Sequence, residues 1–129
     1  MNRTEAEPIA KDLISKAKEL MKDVKTTTDV DLWAYTAYDS SWKRKPEFCY
    51  GEKKVLVDQI YDVISGLDYN SQIHLFAHIT SAEIAAERQM KAKDGWQNPA
   101  VLDKKACILL RNVRSKVEHE NSATNTRLI

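Results

Sequence analysis

Residues 70–94 read NSQIHLFAHITSAEIAAERQMKAKD, a long stretch with no glycine and no proline. At about 100° per residue, Ile73, Phe76, Ala77, Thr80 and Ile84 share one side of a helix. Leu75, Ile79, Ala82 and Ala86 fall roughly opposite. A helix apolar on two sides is either central to its domain or shared with a partner chain. The stretch predicts an all-α chain with this helix at its centre. If the chain self-associates, Leu75, Ile79, Ala82 and Ala86 form the first face a second copy would meet.

The same spacing recurs on both sides of this helix. From Pro8 to about Val24 the apolar residues are Ile9, Leu13, Ala17, Leu20 and Val24, with Ile14 and Met21 widening the stripe. Thr28 or Asp29 can cap a second helix, with Val30, Trp33, Ala34, Ala37 and Ser41 in its stripe and Pro46 stopping it. A third is expected from about Glu52 to Leu67, through Leu56, Ile60, Val63 and Ile64. The central helix is fourth. A fifth is expected from Pro99 to about Glu118, through Leu102, Ala106, Leu109, Leu110, Val113 and Val117. The three glycines and three prolines fall where these helices should start or stop. Pro8 and Pro99 read as first-turn prolines, Pro99 behind the N-cap candidate Asn98, and Gly66 and Gly95 read as C-cap glycines. The expectation is one compact, bundle-like domain of about five helices over residues 1–118, followed by a flexible polar tail at 119–129.

Composition agrees with a globular chain: 129 residues, 43% hydrophobic and 30% charged. The net charge of +1 gives no global attraction to nucleic acid or an anionic membrane, so such binding would need a local patch. No apolar stretch approaches the roughly 20 residues of a membrane span. The start, MNRTEAEPIAKD, carries acids where a signal peptide has its apolar run, which predicts a cytoplasmic protein. Cys49 and Cys107 then read as free thiols.

Few residues carry a recognisable chemistry. His74 and His78 share a helical face, but two histidines leave a metal short of ligands, so they read as polar flank or packing residues. Neither cysteine has an activating neighbour in sequence. Glycine-built phosphate loops and nucleophile elbows are absent. The expectation is a protein without catalytic residues, metal or cofactor. Lys104, Arg111 and Arg114 form a basic stripe that reads as a solvated face of the fifth helix.

The most unusual feature is aromatic. Tyr35, Tyr38 and Trp42 sweep off the predicted core stripe of the second helix, and Lys43, Arg44 and Lys45 follow. Trp and Tyr on a flank combine contact area with a polar handle, as interfaces and apolar-ligand walls require. These six residues are the predicted partner-binding site. Basic residues interleaved with Trp42, Phe48 and Tyr50 could also hold single-stranded nucleic acid, although the near-neutral charge weighs against it.

Residues 64–73, ISGLDYNSQI, resemble the helix-turn-helix unit of the N-terminal domain of cyanobacterial orange carotenoid proteins and their helical carotenoid-binding relatives. The segment Asp31-Leu32-Trp33-Ala34-Tyr35 stands where that family has its tryptophan-bearing helix. The resemblance implies a helical, non-enzymatic module in a photosynthetic setting. Three functions are thus open: an adaptor or regulator acting by protein–protein contact, a carrier of an apolar, carotenoid-like molecule, and a nucleic-acid-binding regulator. The first leads.

Overall fold

The computed structural model describes residues 1–25, Thr28 and residues 51–128, with side chains described for 1–25, Thr28, Lys53 and 55–118. Four α-helices and one short 3-10 turn occur among them: α1 (Arg3–Met21), α2 (Gly51–Ser65), α3 (Tyr69–Ala92), the turn Gly95–Gln97, and α4 (Val101–Leu128). None of the described residues is in a strand. The chain is all-α, as the spacing predicts. The helix expected between Thr28 and Pro46 falls on residues outside the description.

α1 begins five residues before Pro8, because Asn2 and Glu5 form a capping box. The Asn2 side chain accepts from the Glu5 amide at 2.8 Å, and the Glu5 carboxylate accepts from the Asn2 amide at 3.0 Å. Pro8 therefore sits inside the helix rather than in its first turn. The buried stripe of α1 is Ala6, Ala10, Leu13, Ala17, Leu20 and Met21, extended past the helix end by Val24. On α2, Val57, Ile60 and Ile64 are buried, with Leu56, Tyr61, Val63 and Leu67 packed against them.

The centre of the fold differs from expectation. α1 and α4 pack on each other, and both α2 and α3 pack on this pair. Lys104 to Leu110 are buried without a break, and Asn112, Val113 and Val117 continue the buried surface. A helix covered nearly all round is the central one, so the role expected of α3 belongs to α4. On α3 only one side is internal: Gln72, Leu75, Phe76, Ile79, Ala86 and Met90 are buried. Ile73 and Ile84 are exposed, as is Thr80.

α4 also continues beyond Glu118, to Leu128. Residues 119–128 lack apolar periodicity but contain no glycine or proline. Ordinary residues differ in helix propensity by less than about 0.7 kcal/mol each, so nothing local stops the helix there. Its start falls two residues after the expected Pro99: the Asn98 side chain accepts from the Ala100 amide at 2.8 Å, and Pro99 and Ala100 form the turn that leads into Val101.

Candidate functional site

The predicted partner-binding residues Tyr35, Tyr38, Trp42, Lys43, Arg44 and Lys45 all lie outside the described residues, as do Trp33 and Cys49. The chemistry visible among the described residues collects in three places.

The first is a charge network between α3 and α4. Glu83 receives a two-pronged contact from Arg111, Nε to Oε1 at 2.8 Å and Nη2 to Oε2 at 2.9 Å. Lys104 donates to Glu83 at 3.3 Å and also to Glu87. The Lys104 side chain is only 4% exposed. The helical register explains the grouping: Glu83 and Glu87 are one turn apart on α3, and Lys104 and Arg111 are two turns apart on α4. Lys104 hydrogen-bonds Glu87 and so holds its carboxyl below the usual glutamate range, against the opposing effect of burial. The burial of Lys104 corrects its reading as part of a solvated stripe, whereas Arg111 pairs with Glu83 while 44% exposed. Arg114 is likewise engaged, lying 4.6 Å over the Phe76 ring and 3.2 Å from Glu118.

Next to this network, Lys105 and Cys107 of α4 also reach into the core. Lys105 is buried and its ammonium donates to the Val24 carbonyl at 2.5 Å, tying the turn after α1 to the central helix. Burial lowers its pKa from the usual lysine value. Cys107 is fully buried, and its Sγ approaches the Ile79 carbonyl at 3.5 Å. Burial, then the Glu83 and Asp103 carboxylates, push its thiol up to about 12. A thiol so far from ionisation is no nucleophile at neutral pH.

The third place is the start of α1. Arg3 Nε donates to His74 Nδ1 at 3.2 Å, and His78 Nε2 donates to the Arg3 carbonyl at 2.6 Å. The shared face of His74 and His78, read in the sequence as polar flank, receives the first turn of α1. No group of three or more His, Cys, Asp or Glu side chains among the described residues could hold a metal ion.

The segment of the family resemblance has a clear local mechanism. Gly66 lies at the end of α2, where a Cβ would stand 3.1 Å from the Asp62 carbonyl. Its φ is not left-handed; after α3 the left-handed residue next to the C-cap Lys93 is Asp94 (67°), with Gly95 (52°) one residue beyond it, so neither glycine makes the expected left-handed cap. Asp68 caps α3, accepting from the Ser71 amide at 2.7 Å. Buried Gln72 donates to the Ile64 carbonyl at 3.2 Å and the Leu67 carbonyl at 3.1 Å. One side chain thus closes the end of α2 from the first turn of α3.

The self-association face expected at Leu75, Ile79, Ala82 and Ala86 is internal. Leu75 and Ile79 are fully buried, Ala86 nearly so, and Ala82 packs against the main core. Leu75, Ile79 and Ala86 thus pack within their own chain, while Ala82 also lines an open groove.

Open grooves also occur among the described residues. One, of about 480 Å³, has Ile14, Ala82 and Leu102 among its lining residues and carries the Lys18–Asp103 ion pair at 3.3 Å. Another, of about 330 Å³, lies at the α3–α4 corner beside Met90, Trp96 and Lys104. No helix among the described residues is long and apolar enough to cross a membrane.

Comparison of the chain with protein-family models, curated proteins and solved structures finds no match.

Proposed function

We propose that the protein is a small helical adaptor or regulator that acts by contact with another protein, with no reaction of its own. The carrying observation is how the reactive side chains are used. Lys104, Glu83 and Arg111 join α3 to α4, Lys105 holds the turn after α1, and His74 and His78 hold the start of α1. Cys107 is buried with its thiol raised to about 12. Among the described residues these groups hold helices together, which supports surface recognition as the work of the fold. The recognition element in this reading is Tyr35, Tyr38 and Trp42, with Lys43, Arg44 and Lys45 as its basic rim. Aromatic and arginine anchors are what protein interfaces favour.

The test is capture of partners from native lysate, compared with thermal melts on the same preparations. Trp42→Ala should weaken capture by at least about 2 kcal/mol, the scale of a hot-spot residue, with the melting midpoint unchanged. Changing Lys43, Arg44 and Lys45 together to Gln should slow association and reduce its salt sensitivity. A Trp42→Ala protein that melts normally and captures the same partners as strongly would overturn the assignment. A visible absorbance band in protein purified from its host would favour the carrier of an apolar pigment instead.

A further inference from the structure

The outward side of α3 carries a pattern that the core among the described residues does not use. Ile73, Ala77, Thr80 and Ile84 lie on the side turned away from α1 and α4. Ile73 is 39% exposed and Ile84 is 43% exposed, and Tyr69 beside them is 70% exposed. Their spacing is four, three, four, so it reads the same in both directions along the helix. Size follows the same symmetry: large, small, small, large. Two such helices laid antiparallel about a twofold axis between His78 and Ile79 would set Ile73 against Ile84 of the other copy, and Ala77 against Thr80. A surface complementary to itself under a twofold is the requirement for a symmetric dimer.

The charges at the two ends agree. The start of α3 has the exposed acids Asp62 and Asp68 beside it, against one exposed base, Arg3, which donates to His74. Its end carries the exposed bases Arg88, Lys91 and Lys93, against one exposed acid, Asp94. An antiparallel pair brings the acidic end of one helix to the basic end of the other, and sets Tyr69 opposite Arg88 for a cation–π contact. A parallel pair would place like charges together. The antiparallel order also aligns the helix dipoles favourably.

We propose that a second copy of this chain docks on the outward face of α3, antiparallel, through Ile73, Ala77, Thr80 and Ile84. One helix pair buries less than the ~1,000 Å² of a stable interface, so the dimer belongs to the weak, concentration-dependent class.

Sedimentation equilibrium of the full chain over about 10 µM to 1 mM tests this, a range that brackets weak association. The weight-average mass should rise from 14.8 kDa toward twice that value. Ile84→Glu should remain monomeric throughout, with unchanged helicity and melting midpoint. Arg88→Glu with Lys91→Glu should weaken association at least about tenfold at low salt. Spin labels in a Cys49→Ser background fix the orientation. A label at Thr80→Cys should lie close to its copy, and one at Asn70→Cys should be displaced along the axis by about 25 Å. Short distances at both sites mean a parallel pair and overturn the proposal. So does a wild type that stays monomeric, or an Ile84→Glu variant that associates as strongly as wild type. If the wild type is monomeric and Ile84→Glu lowers the melt sharply, this chain's own residues cover the face, and the proposal also fails.

Discussion

Gln72 shows how much one polar side chain can do at a corner. It is buried and serves two carbonyls at the end of the preceding helix. Each such bond is worth about 0.5–1.5 kcal/mol, and a buried carbonyl left without a donor costs more. Gln72→Ala should therefore lose about 2 kcal/mol, read as a lower urea midpoint with unchanged slope. The stop at Gly66 and the start at Asp68 are local signals and legible in the sequence. The role of Gln72 is not, because its partners, eight and five residues back, meet it only once the corner has closed. The network around Lys104 gives a second expectation. Glu83→Ala leaves a buried ammonium with less compensation and should cost about 3–5 kcal/mol, whereas Lys104→Met, of similar length, should be near neutral, since Arg111 still holds Glu83. Acid also acts at this scale. The pKa of Glu87 is lowered from 4.5 by Lys104, and that of Asp68 from 3.8 by its bonds to Ser71. Their contribution is complete above those ordinary values and is lost as pH falls through the lower folded-state values. Stability should therefore fall as pH drops below about 4.5, and Glu87→Gln should flatten that fall.

Among the elements, α3 and α4 exchange the roles their sequences predict. α3 has the longer uninterrupted apolar pattern, but Ile73, Thr80 and Ile84 face outward. α4 carries Lys104 and Lys105 at the start of its buried stretch, and residue type alone marks both as exposed. Their burial depends on Glu83, Glu87 and the Val24 carbonyl, which come from other parts of the chain. Periodicity locates apolar faces well, as Leu13, Ala17 and Leu20 on α1 and Ile60 and Ile64 on α2 attest. It cannot rank two amphipathic helices when ion pairs decide which one is enclosed. The buried side of α3 remains essential to the core. Phe76 is 3% exposed, so Phe76→Ala should cost about 3–5 kcal/mol and lower the melting midpoint by more than about 10 °C. Ile79→Lys should unfold the chain rather than release a folded monomer, since Ile79 lies in the chain's own core.

For the whole molecule, the packing order sets an order of local stability. The slowest amides to exchange should be those of Ala106–Val113, which the other helices enclose. The amides of Tyr69 and Asn70, in the exposed first turn of α3, should exchange early. If the slowest amides instead cluster between Leu75 and Ala86, α3 is the centre after all. The fold class was legible from spacing and from the sparse glycines and prolines. Two boundaries were not: the start of α1, set by the Asn2–Glu5 capping box, and the end of α4, where no breaking residue stands. The six predicted partner-binding residues lie outside the described residues, so the aromatic site stands on its sequence pattern.

The buried thiol of Cys107 supplies a built-in clock. At a pKa of about 12, with no exposed surface, it can meet an alkylating reagent only when the centre of the molecule opens. Its labelling rate, followed by mass spectrometry of the peptide around residue 107, then counts openings under native conditions. Any ligand or second copy that binds only the closed form should slow that clock by the factor with which it stabilises the fold.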